Sequence, residues 1–164
     1  MSGGRKPLVR VFLSVARLDE AVARRLWERL AVATAVDRVY EFELWRFDQA
    51  LLVGDDWDAC IREALAASDV GVLALSDAFL GSDYITGVEL PALVDVPGKH
   101  AVPLALRQIS PHADMRGLEH KQIYGHQRPF ETVRGQAAQT AWVHDLVNQI
   151  HRVLARASQS EGAR

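Results

Sequence analysis

Val70-Gly-Val-Leu-Ala-Leu75, bounded by Asp69 and Ser76, is the stretch on which the reading of the fold turns. A strand with one wet face alternates apolar and polar residues. This one is apolar throughout, the pattern of a strand covered on both faces in a parallel sheet. Just before it, Trp57, Ile61 and Leu65 recur on one face of a helix while Asp58, Arg62 and Glu63 look outward. Asp55 or Asp56 is placed to cap that helix, and Trp57, continuing its apolar stripe, is expected in the core. Asp48 to Asp55 is a loop with Gly54 as its flexible point.

Further toward the N-terminus, Val39 to Trp45 alternates, with Tyr40, Phe42 and Leu44 on one side and Glu41 and Glu43 on the other. From Asp19 onward Val22, Leu26 and Leu30 recur every fourth residue, an amphipathic helix, and Leu8 to Leu13 reads as another strand. On the other side, the loop Ser76 to Gly81 leads to a helix starting near Ser82 or Asp83. Ala101 to Leu106 is a strand candidate and Gln122 to Tyr124 a short edge strand. A last helix is expected from about Ala138 to Ala155, with Trp142, Leu146, Ile150 and Val153 inward. Such alternation predicts an α/β fold: a flavodoxin-like, doubly wound parallel sheet of five strands with helices on both faces. Residues 1–7 are expected to be disordered, 8–156 to form the domain, and 157–164 to be a linker or tail.

The sheet topology predicts where function sits. In such folds the working loops gather at the carboxyl ends of the strands, around the switch point of strand order. Three segments meet there: Ser14 to Asp19, Trp45 to Trp57, and Ser76 to Glu89.

Bulk properties exclude several classes. A chain of 164 residues with a formal net charge of −2 has no basic footprint for nucleic acid. One cysteine, Cys60, leaves neither an internal disulfide nor a cysteine-based zinc site, and suits a reducing, cytoplasmic setting. The apolar run from Leu8 to Val15 is broken by Arg10 and too short to span a membrane. None of the six histidines has ligand spacing with a partner acid, so no metal is expected. His144 and His151, seven apart on the last helix, read as solvated or capping. Neither G-x-G-x-x-G nor a Walker pattern occurs, which excludes nucleotide binding of the dehydrogenase kind.

The three segments also carry a family likeness. Phe12-Leu-Ser-Val-Ala-Arg-Leu-Asp19 resembles the first box of TIR (Toll/interleukin-1 receptor-like) domains. Asp48 to Trp57, with Gly54-Asp-Asp-Trp57 before Ile61, resembles the family's second loop and the helix after it. Ser68 to Ser76, then Phe79-Leu80, Ser82-Asp-Tyr84 and Glu89-Leu90, resembles the third strand and its exit. The likeness spans about Leu8 to Ala155 and is nearest to the bacterial, NAD-cleaving branch. It departs at Val15, where the family usually has an aromatic, and at Tyr84. Catalytic members place an aromatic four residues before the essential Glu, and Tyr84 precedes Glu89 by five. In a regular helix five residues turn two side chains about 140° apart. Either the stretch holds a one-residue bulge, with Gly87 its natural place, or Ile85 is the residue on the Glu89 face.

The resemblance implies that Glu89 is catalytic in cleavage of NAD+, which is substrate, with no cofactor. An isolated Glu early in a helix would otherwise serve the helix N-terminus. Substrate-binding residues implied are Phe12, Ser14, Arg46, Phe47, Asp48, Tyr84 and Ile85. Ser14, at a strand end, could donate to ribose or phosphate, or cap the following segment. The loop from Arg46 walls the nucleotide site or touches a neighbouring subunit, unless Asp48 simply makes a local turn. Leu51, Leu52 and Val53 give that loop an apolar tip. The implied partners are other TIR domains and a sensor domain or partner protein, with neither nucleic acid nor membrane, and the implied setting is bacterial anti-phage defence. Two rivals stand beside this reading. One is a non-catalytic TIR interaction module. The other is a nucleoside deoxyribosyltransferase-like enzyme, which would normally lack the Gly-Asp-Asp-Trp loop.

Overall fold

The structure is a computed structural model and describes residues 3–45 and 53–163. Its elements are β1 (Leu8–Ser14), α1 (Glu20–Ala35), β2 (Glu41–Trp45), α2 (Trp57–Ala67), β3 (Val70–Leu75), α3 (Asp77–Leu80), α4 (Leu90–Leu93), β4 (His100–Ala105) and α5 (Gln136–Glu161). All strand pairs are parallel, in the order β2-β1-β3-β4. β3 is buried at every residue, because side chains alternate between faces and both faces are covered. Val70, Val72 and Ala74 join Val9, Val11 and Leu13 against α1 and α5. Leu73 and Leu75 join Phe12 against α2 and the segment from α3 to α4. Gly71 lets α4 close on the sheet, since a Cβ there would lie 2.8 Å from the Leu93 methyl carbons.

The expected fold class holds, with four strands among the described residues rather than five. The fifth, at Gln122 to Tyr124, is reduced to a single parallel bridge between Leu104 and Tyr124. Tyr124 N–H donates to Pro103 O and Ala105 N–H to Tyr124 O. Extending the ladder to Gln122 would require an N–H from Pro103, which has none. In the other direction Gly125 turns away at φ 71° beneath the Trp142 ring, where no Cβ would fit.

The chain ends also differ from expectation. Lys6 Nζ donates to Asp37 O, and Glu41 N–H to Pro7 O, so residues 6 and 7 are tied to the start of β2. α5 runs to Glu161, and residues 157–161 are helix rather than tail; Ser158 and Ser160 return their hydroxyls to the carbonyls of Leu154 and Ala157. His151 is not solvated but bonds Asp37 at 2.6 Å, beside the Tyr40 and Phe42 rings. Asp37 also accepts from the N–H groups of Val39 and Tyr40, a turn that delays β2 to Glu41. Asp56 is the residue that caps α2.

Asp37 therefore joins α1, β2 and α5. Burial pushes its carboxyl up, but bonds from Tyr40, His151 and Val39 outweigh that and hold it below the ordinary value of 3.8. Asp37→Ala should cost about 1–3 kcal/mol in urea denaturation at pH 7. A depressed folded pKa gives stability that is complete above the unfolded pKa and is lost as pH falls through the folded one. The gap between wild type and variant should thus close below about pH 4. A gap that is constant down to pH 2 would contradict this.

Candidate active site

The order β2-β1-β3-β4 puts the switch point between β1 and β3. At their carboxyl ends the first and third predicted segments and the described edges of the second line one cleft, of about 280 Å³ as the described residues bound it. One lip is Val15 to Arg17 with Glu20. Trp45 and Trp57 stand on the second side, and Tyr84, Ile85 and Glu89 on the third. Phe12 and Trp45 stack at 4.8 Å with nearly parallel rings, giving the cleft an apolar floor.

The five-residue offset between Tyr84 and Glu89 is resolved locally. Ile85–Glu89 is a π-helical turn, closed by Leu90 N–H donating to Ile85 O. A π turn accommodates one extra residue, so Tyr84 and Glu89 both reach the cleft and Ile85 does as well. The sequence favours the slip. Gly87 is a weak helix former, Thr86 returns its hydroxyl to Ser82 O, and Pro91 has no N–H to continue the regular ladder.

Glu89 is 7% exposed. Ser14 Oγ, fully buried at the end of β1, donates to Glu89 Oε2 at 2.5 Å. Among the described residues Ser14 is the one hydrogen-bond partner of this carboxylate, and the second oxygen is not sealed away. It is the oxygen left to face the cleft. Burial raises the Glu89 pKa from 4.5 to about 7, with the Ser14 bond pulling the other way. Tyr84 O–H donates to Asp58 Oδ1 at 2.8 Å, and Asp58 is also paired with Arg62. Burial first, then Asp58, raises the Tyr84 pKa to about 12, so the phenol stays a donor.

Trp57 departs from its expected place in the core. It is 49% exposed and packs on the Tyr84 ring at 5.1 Å. It is the first residue of α2, so the stripe that buries Ile61 and Leu65 carries Trp57 out to the cleft mouth. Ser14 is committed to Glu89 rather than to a cap. Arg46, Phe47 and Asp48 lie outside the described residues.

No spacing or motif announces the network that fixes the lip. Asp19, buried, accepts from Ser76 Oγ and from Arg107 Nε at 2.7 Å, and Arg107 Nη1 reaches Glu131 at 2.9 Å. It joins the exits of β1, β3 and β4 across 88 residues of chain, and only spatial folding brings such residues together. Among the described residues no group of three His, Cys, Asp or Glu could hold a metal ion, and no helix is long and apolar enough to cross a membrane. A half-enclosed carboxylate beside aromatic walls suits stabilisation of a cation developing on a sugar.

A sequence profile of the TIR domain matches residues 11–135. Comparison with curated proteins gives no match.

Burying Glu89 should cost stability. Its folded pKa lies above its unfolded one, so the unfolded chain loses the proton first and stability falls as pH rises from about 4.5 to 7. Glu89→Gln removes that term. The variant should match wild type near pH 4.5 and exceed it by about 1–3 kcal/mol at pH 8, read by denaturant unfolding. Equal stability at both pH values would show that Glu89 is solvated.

Proposed function

This chain belongs to the TIR domain family, and from that premise we propose that it cleaves the nicotinamide–ribose bond of NAD+, with Glu89 as the catalytic carboxylate. The bond breaks heterolytically. Its electron pair leaves with nicotinamide, which becomes neutral and needs no acid, while positive charge spreads over the ribose C1′ and ring oxygen. Glu89, ionised, faces that charge and the ribose hydroxyls in a site shielded from water. Water then adds at C1′ and loses a proton, giving ADP-ribose. Attack by a ring nitrogen of the adenine gives a cyclic isomer instead. Trp57, Tyr84 and the Phe12–Trp45 stack offer flat walls for the nicotinamide ring.

One observation carries this reading: a buried carboxylate at the switch point, one oxygen held by Ser14 and the other open on an aromatic cleft. Glu89→Gln keeps the shape and removes the charge. Nicotinamide release should fall by about two orders of magnitude or more, equivalent to about 3 kcal/mol of transition-state stabilisation, with the fold intact. Turnover retained in the variant would take catalysis away from Glu89. If concentrated wild-type protein releases no nicotinamide, with or without a crowding agent, the domain is a TIR interaction module instead.

The proposal extends to assembly. The loop of residues 46–55 completes the site of a neighbouring copy, and a sensor domain or partner protein, as in anti-phage defence in the cytoplasm, brings copies together. Support comes from Val53, an apolar residue fully exposed in the isolated chain, next to Leu51 and Leu52 in sequence. A large apolar side chain left in water is a candidate contact. Specific activity should rise with protein concentration, and Val53→Asp should abolish the rise without lowering the melting temperature. Mixing Val53→Asp with Glu89→Gln should restore part of the turnover, since each supplies what the other lacks. Flat specific activity from a monomer throughout would exclude a shared site.

A further inference from the structure

Ser14 has a task that its place at a strand end does not announce. Its side chain is fully buried and its hydroxyl donates to Glu89 Oε2 at 2.5 Å, across 75 residues of sequence. It lies on β1, paired to β3 through Leu73, so the backbone fixing its direction is among the most enclosed in the chain. Glu89 comes from a π turn, the least regular element beside the sheet. A rigid donor thus meets an acceptor on an adaptable segment.

We propose that Ser14 is a positioning residue: by engaging one carboxylate oxygen of Glu89 it turns the other toward the ribose of NAD+, so that the site depends on a donor that never touches substrate. This rests on the reading of Glu89 as the NAD+-cleaving group. With its hydroxyl proton committed to Glu89 and no solvent exposure, Ser14 does not bind ribose or phosphate itself.

The same bond governs when the carboxylate is charged. A donor to a carboxylate favours the ionised form, and here Ser14 opposes the larger effect of burial. Other ionisable groups facing the cleft are Arg17 and Glu20 from the lip and Tyr84 from the third segment, with Asp58 and Arg62 of α2 behind Tyr84. Among the described residues, burial and then the Ser14 bond are the causes of the Glu89 shift. Removing the hydroxyl therefore drives the midpoint upward.

The test pairs Ser14→Ala with Ser14→Thr, which keeps a hydroxyl, in protein carrying 13C-labelled glutamate. The Glu89 carboxyl resonance is assigned by its loss in Glu89→Gln. In Ser14→Ala the midpoint should rise by about one unit from the wild-type value. Nicotinamide release at pH 7 should then fall more than about fivefold, because the ionised fraction alone drops from about a half to about a tenth and the misdirected oxygen adds to that loss. Part of that loss should return at pH 9, with KM little changed, and Ser14→Thr should keep the wild-type profile. An unmoved Glu89 midpoint in folded Ser14→Ala overturns the assignment whatever the turnover. So does a loss of turnover with the wild-type pH profile. A midpoint that moves in a protein with no wild-type turnover instead overturns the NAD+ reading and leaves the Ser14–Glu89 link standing. Should Ser14→Thr misfold, melting temperature will show it and Ser14→Ala decides alone.

Discussion

β1 and β3 lie side by side with helices packed on both faces, and from Val11 onward β1, like all of β3, has no residue turned to water. That constraint organises the molecule. Covering both faces requires α1 to cross on one side and α2 on the other, because the β1-to-β2 and β2-to-β3 connections run in opposite directions along the sheet. The chain leaving β1 and the chain leaving β3 therefore part company at the carboxyl edge, and the gap between them is the cleft. The order of the sheet thus decides the place of the site before any catalytic residue is considered.

The gap needs fixed walls. Asp19, Ser76, Arg107 and Glu131 bind the three strand exits together with a buried acid, a hydroxyl and a forked guanidinium. An Arg suits this place because its planar head presents several donors in fixed directions and serves two carboxylates at once. On the opposite wall the π turn does the reverse, departing from regular helix so that Tyr84 and Glu89 share the cleft. Such turns recur at functional sites. Gly71 permits it at a distance, by letting Leu93 settle on the sheet just beyond the turn.

Glu89 shows what a site of this kind requires. Burial raises its pKa to about 7, a departure in the direction of reduced stability at neutral pH. The charge is useful only if substrate is desolvated beside it, so the enclosure that disfavours ionisation is also what makes the ionised form effective in the proposed chemistry. Ser14 moderates the conflict without removing it. The TIR family membership leaves open whether a domain catalyses or only assembles. In this chain the buried carboxylate of Glu89, held by Ser14, is the feature on which the proposed catalysis rests.

The sequence by itself determined most of the strands and helices, since their apolar residues repeat with periods of two and of about 3.6, but it read the short helix α3 as part of a loop. It also placed the first and third segments and the edges of the second around one cleft, singled out Glu89 as the candidate, and tied the Tyr84 spacing to a bulge or an irregular turn. It misplaced the ends of α5, made a strand of Gln122 to Tyr124, and put Trp57 in the core. Periodicity says which face of an element is apolar and nothing about where that face stops being covered. Only the tertiary structure decided that Ser14 meets Glu89, that Asp19 meets Arg107, and that Pro103 leaves the sheet edge unable to extend. These are contacts between residues tens of positions apart, and their existence depends on how the layers close. A carboxylate's charge state is decided in the same way, because the water it loses is displaced by neighbours that its own segment does not contain.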